Sequence, residues 1–200
     1  HLIRGPIRPD VGAGGAIPLQ QGHWWVVFTS PFLHSGWLHL LLNLLCLSIL
    51  MPPFVRMVGA ARAIVVYGLS GIGGVIASSL ANEQISVGAS GGVMGLLGGL
   101  VVLGWSIRGG QGQDLMRMAL GWIVINLFAG FFVLTQVSNA SHIGGAIVGA
   151  AATLLAGHRY TMPERSGHRV AALGLILATG GAVVYSAAMG LAKYNQQIGW

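Results

Sequence analysis

Ser90 sits between glycines in "ISVGASGGVMG", residues 85–95, within a chain that is otherwise largely apolar. A serine hydroxyl is a weak nucleophile until a base lies within hydrogen-bond reach. His142, in "SHIGGAIVG", is a base of the right kind, because a neutral imidazole takes up a hydroxyl proton near neutral pH. The anion formed when an activated serine attacks a carbonyl needs donors already in place. His39 and Asn43, in "HSGWLHLLLNLL", are four residues apart and share one face of a helix. Their side-chain N–H groups can supply such donors, together with the backbone N–H of Ser90 at a helix N-terminus. Gly88 and Gly91 permit a tight turn and close approach of a substrate backbone. Asp10, Glu83, Asp114 and Glu164 all fall in expected loops, so the chemistry is that of a Ser–His dyad with no acidic third member.

Each residue also has a plainer role. A serine in a membrane helix often bonds back to its own backbone. A histidine at a helix start can reach the headgroup region, and an asparagine can join helices. The elements that carry them decide the matter. Of 200 residues, 54% are hydrophobic and 7% charged, with a mean hydropathy of +0.74; soluble domains carry about 25% charged residues. The composition is that of an all-α polytopic membrane protein. Six stretches approach the ~20 apolar residues that a span needs: roughly 34–51, 63–81, 89–107, 116–134, 141–157 and 169–191. Pro52–Pro53 is expected to end the first span. Gly91, Gly95 and Gly99 in the third span, and Gly145 and Gly149 in the fifth, form small-residue stripes that allow close helix approach.

The basic residues set orientation. Arg56, Arg62, Arg108, Arg117, Arg159, Arg165 and Arg169 fall on one side, expected to be cytoplasmic; Arg4, Arg8 and Lys193 fall on the other. Spans one, three and five then descend from the outer face, and His39, Asn43, Ser90 and His142 share one shallow depth. Four polar groups from three helices at one level favour a site over scattered packing roles. The net charge of +6 and pI of about 10.5 are explained by this topology signal, so no nucleic-acid partner is expected. Cys46 is the sole cysteine, which excludes an intrachain disulfide and a cysteine metal cluster. No metal or cofactor is expected, since no His-Glu-x-x-His pair, ATP motif or dinucleotide fingerprint appears.

In this order and with this sidedness, the motifs resemble those of the rhomboid intramembrane serine proteases. "GASGGVMG" is similar to their Gly-x-Ser-Gly motif, and "SHIGGAIVG" to their Ala-His-x-x-Gly-x-x-x-Gly motif, with Ser141 in place of Ala. "FLHSGWLHLLLNLL" resembles the helix that provides their oxyanion His and Asn. The resemblance covers about residues 20 to 157 and implies a rhomboid-like helical bundle. It implies Ser90 as nucleophile, His142 as base, and an oxyanion site of His39, Asn43 and Ser90. It also implies substrates that are single-pass transmembrane proteins, cut near the outer end of their spans. The 116–134 span corresponds to the family's proposed lateral gate, where Trp122, Phe128, Phe131 and Phe132 either line the gate or face lipid. Met94 stands where family members often have an aromatic residue, and Val26 where many have Arg.

The expected organisation is an outer loop at 1–23, a protease core at 24–157, a cytoplasmic loop at 158–168 and an extra C-terminal helix and tail at 169–200. The family's first helix is expected to be missing upstream of His1. Two rivals remain: a catalytically silent relative that binds membrane helices, and a small transporter. The transporter needs polar groups deeper in the same spans, where "LLCLSIL" and "LLGGLVVLGW" offer almost none. Compactness favours a bacterial inner membrane with the site toward the outer face, and an organelle membrane is the alternative.

Overall fold

A chain this apolar must satisfy its backbone internally, and in lipid a helix does so within one segment. The structure, a computed structural model, describes residues 12–132, 137–157 and 163–198. Arg4, Arg8, Asp10 and Arg159 lie outside the described residues. The elements are α1 (Ala16–Gln20), α2 (Val26–Thr29), a 3-10 turn (Ser30–Phe32), α3 (Trp37–Val58), α4 (Ala60–Leu80), α5 (Ser90–Ser106), α6 (Gly110–Phe132), α7 (Asn139–Ala156) and α8 (Ser166–Ile198). Among the described residues α3, α4, α6, α7 and α8 are long and apolar enough to cross a membrane, and α5 is a shorter apolar helix. The molecule is an all-α, multi-pass membrane bundle.

The central helix is α5, which packs against α3, α4, α6 and α7. Its Leu96, Leu97, Leu100 and Leu103 are buried together with Phe54, Val58, Ala63 and Val66. Its closest partner is α7, because glycines line both sides of their contact. A Cβ on Gly145 would lie 2.9 Å from Gly91 Cα, and one on Gly149 would lie 2.5 Å from the Gly95 carbonyl carbon. On α7 the buried positions are Ser141, His142, Gly145, Gly149, Ala152 and Thr153, one face at helical spacing. Helix α8 packs on α4 and on α2, where Tyr185 meets the edge of Trp25 at 4.8 Å between ring centroids.

Three expectations need correction. Pro52 and Pro53 do not end the first span, since α3 runs through them to Val58. The turn beyond the prolines carries Phe54 and Val58, both buried in the core, and the Phe54 ring lies over Gly99 of α5. That packing outweighs two lost backbone donors, a trade that membrane helices tolerate. The break comes instead at Gly59, whose φ of 93° turns the chain into α4. Asp114 is not in a loop: α6 begins at Gly110, and Asp114 faces Arg117 one turn on at 3.8 Å. Helix α8 also starts earlier than expected, at Ser166, and extends to Ile198.

Gly145→Val forces a branched side chain into the Gly91 backbone. It should destabilise the bundle by about 1–3 kcal/mol, read as a lower unfolding midpoint in detergent. An unchanged midpoint would mean that α5 and α7 are not held at backbone contact.

Candidate active site

The loop that delivers Ser90 is tied down before the helix starts. Ser86 and Gly14 exchange backbone hydrogen bonds of 3.1 and 2.8 Å. Ala16 N–H donates to Glu83 O at 2.8 Å, and Gly88 N–H to Ser30 O at 3.2 Å. The buried Ser30 hydroxyl donates to Ser86 O. Residues 83–88 are therefore stitched to the segment that precedes α3. Helix α5 then begins at Ser90, with Ala89 as its N-cap residue. The first amides of a helix have no acceptor within it, and the positive end of its dipole lies there.

His39 enters from α3. Its Nδ1 pairs with the Ser35 hydroxyl at 3.1 Å, and the His34 ring lies 5.1 Å away, edge to face. On its other side the ring lies over Gly88: a Cβ there would sit 2.8 Å from His39 Nε2. Gly88 also has φ +124°, a conformation that L side chains rarely adopt. Asn43, one turn along α3 and buried, donates Nδ2–H to His39 O at 2.8 Å; its second N–H remains for a ligand. Burial lowers the pKa of His34, outside the helix, against the opposing effect of the Phe32 backbone carbonyl, which favours the protonated ring.

His142 enters from α7, whose start is capped by Ser138 Oγ accepting from Ser141 N–H at 2.9 Å. Asn139 Nδ2–H donates to Leu127 O of α6 at 3.2 Å, which fixes the entry of α7 against its neighbour. His142 is 4% exposed, and neither ring nitrogen has a hydrogen-bond partner among the described residues. A cavity of about 110 Å³ is lined by His39, Asn43, Ser90, Met94, Asn126 and His142, among others. All four polar residues singled out above, and Met94, therefore meet at one place. Ser90 and His142 share the cavity without a hydrogen bond between them. Catalytic hydrogen bonds are often long in unliganded sites and tighten on binding.

A second cavity of about 140 Å³ shares His39 and Ser90 and is lined by Ser35, Ser86, Ser138 and Ser141. A third, of about 220 Å³, is apolar and lies between α3, α5 and α6. It shares Cys46, Val93 and Asn126 with the first. Among the described residues no carboxylate lines any of the three, and no three His, Cys, Asp or Glu side chains gather as metal ligands. All four of Trp122, Phe128, Phe131 and Phe132 are exposed along α6, and Trp122 also lines the apolar cavity. The serine-lined cavity and Asn126 were not singled out in the sequence. A lone carboxamide in an apolar span was the available signal for Asn126.

The Rhomboid domain family matches residues 21–159. The chain is 34% identical to RHOMBOID-like protein 5 of Arabidopsis thaliana over 158 residues, covering 74% of this chain and 50% of that protein. It is 38% identical to Rhomboid protease GluP of Bacillus subtilis (strain 168) over 138 residues, covering 68% of this chain and 27% of that one. The chain thus spans half or less of the length of these relatives. With a plant and a bacterium both among them, the bacterial inner membrane expected above is not supported.

Gly88→Ala combines a strained φ with a clash on the His39 ring. It should cost about 1–3 kcal/mol of stability, read by denaturant unfolding in detergent. Wild-type stability in that variant would mean that His39 is not seated on the loop.

Proposed function

This chain belongs to the rhomboid family, and on that premise we propose that it is an intramembrane serine endopeptidase that cleaves single-pass transmembrane proteins. Ser90 is the nucleophile and His142 the general base, while His39, Asn43 and the Ser90 backbone N–H hold the oxyanion. The observation that carries this reading is the His142 ring: buried, without a partner at either nitrogen among the described residues, and lining the cavity that Ser90 also lines. A buried polar group left unpaired costs about 1–3 kcal/mol, so its persistence suits a ring whose partner arrives with the reaction.

The steps follow from the residues. His142 takes the Ser90 hydroxyl proton as Oγ attacks the scissile carbonyl. The new alkoxide lies at the N-terminus of α5, where the Ser90 N–H and the free Asn43 N–H can donate to it. With Ser35 donating to His39 Nδ1, the His39 proton sits on Nε2 and provides a further donor. His142 then passes its proton to the leaving amine, and the amine product departs. Water, for which the serine-lined cavity offers hydroxyl partners, hydrolyses the acyl-enzyme with His142 again as base. Next to the nucleophile in sequence, a side chain at Gly91 would press on Ser141 of α7 at 3.2 Å and on Gly74 of α4 at 3.5 Å. The bias of basic residues supports an orientation with this site toward the non-cytoplasmic face.

A fluorophosphonate probe tests the assignment in purified protein. Ser90 Oγ bonds to phosphorus, fluoride leaves, and the hydroxyl proton passes to His142. Labelling should be strong in the wild type and at background in Ser90→Ala and His142→Ala. A folded wild-type chain that does not label would instead favour a relative that binds membrane helices without cutting them. A protonated imidazole cannot accept the serine proton, so labelling should also slow once His142 is protonated at acidic pH. A rate that stays flat into strongly acidic solution would contradict His142 as the base.

A further inference from the structure

We propose that Asn126 is a substrate-positioning residue whose side-chain oxygen accepts a hydrogen bond from the main chain of a membrane-spanning peptide as it unwinds between α3 and α6. The inference rests on the protease reading above. Asn126 lines both the cavity that holds Ser90 and His142 and the apolar cavity between α3, α5 and α6. With Cys46 and Val93 it forms the boundary between them. A peptide passing from the apolar cavity toward Ser90 must cross that boundary.

Its hydrogen bonding distinguishes this role from helix joining. Asn126 Nδ2–H donates to Trp122 O of its own helix at 2.8 Å. Among the described residues it makes no hydrogen bond to another helix, so no such bond ties α6 to the bundle there. Its Oδ1 is an acceptor with no partner among the described residues, and it is the one side-chain oxygen in the lining of the apolar cavity. A peptide that leaves helical form inside a membrane exposes backbone N–H groups, each costing several kcal/mol if unpaired. Main-chain contact of this kind selects for a segment that can unwind rather than for a particular side chain. Trp122, one turn away on the same cavity wall, adds an apolar surface beside the same peptide.

The test uses a lysine-flanked, fluorophore-labelled peptide of about 20 apolar residues, with a Gly–Ser break near its outer end, in detergent. Asn126→Leu removes the acceptor without burying a charge and Asn126→Gln keeps it. One hydrogen bond corresponds to a KM about tenfold higher in Asn126→Leu, with kcat changed by less than about threefold, and recovery to within about threefold in Asn126→Gln. In a Ser90→Ala background, where cleavage is absent, the peptide Kd should weaken by a similar factor. Matching unfolding midpoints establish that all variants are folded. An unchanged KM and Kd in Asn126→Leu, or equal losses in Leu and Gln, would overturn the proposal. If the wild type cleaves nothing yet the Kd still depends on Asn126, the protease reading fails and the peptide contact stands.

Discussion

Backbone-to-backbone contact between α5 and α7 is the constraint from which the site follows. Lipid gives apolar helices little reason to associate, so close packing must do it. Gly91 against Gly145, and Gly95 against Gly149, bring main chains to distances that no side chain permits. Such approach also allows weak Cα–H···O contacts and dense dispersion. Gly91 directly follows Ser90, and Gly145 lies one turn below His142. The seam therefore sets the register of the two helices beside the two residues proposed as nucleophile and base. A slip along this seam would move Ser90 and His142 apart while leaving every residue in its helix.

The ends of the bundle restrain the remaining freedom. At the site end, the strand-like pairing of Ser86 with Gly14 and the Ser30 contacts hold the loop on which His39 rests. At the opposite end, the Glu164 carboxylate accepts from the N–H groups of Ala61 and Arg62 at 2.6 and 3.1 Å, capping α4 from the α7–α8 connection. A carboxylate at a helix N-terminus meets both free donors and the positive dipole end. Arg62, itself buried, donates to Val58 O at 3.1 Å and Pro163 O at 2.8 Å. This closes the turn around Gly59. Helix α4 is the third wall of the seam, with Ser70 over Gly95 and Ser141 over Gly74. Fixing its lower end holds that wall beside α5 and α7. The side toward α6 is different, since a cavity separates α3 from α6 there.

What was legible in the sequence was local and periodic. The four-residue spacing of His39 and Asn43 implies one helix face, and the alternating basic loops imply one end of the bundle for Ser90 and His142; in the structure all four line one cavity. The glycine stripes announced the α5–α7 contact. What escaped depended on tertiary contact. Pro52–Pro53 reads as a stop by local rules, but the burial of Phe54 and Val58 carries α3 onward. Asp114 reads as a loop residue because the start of α6 is polar, "GQGQD", and carries no apolar signal. The Glu164 cap spans more than a hundred residues in sequence and has no local signature. Asn126 was visible as a residue, but its position between two cavities is a property of how α3 and α6 face one another.

The central claim is that Ser90 and His142 act on one substrate carbonyl as a single unit. A small apolar peptide chloromethyl ketone addresses both at once, with Ser90 adding to the ketone and the His142 nitrogen displacing chloride. Peptide mapping by mass spectrometry after such treatment reads the alkylated residue directly. The account predicts stoichiometric alkylation of His142 in the wild-type chain and its loss in Ser90→Ala. Equal alkylation of His142 without Ser90, or none in a folded wild-type chain, would contradict a working dyad.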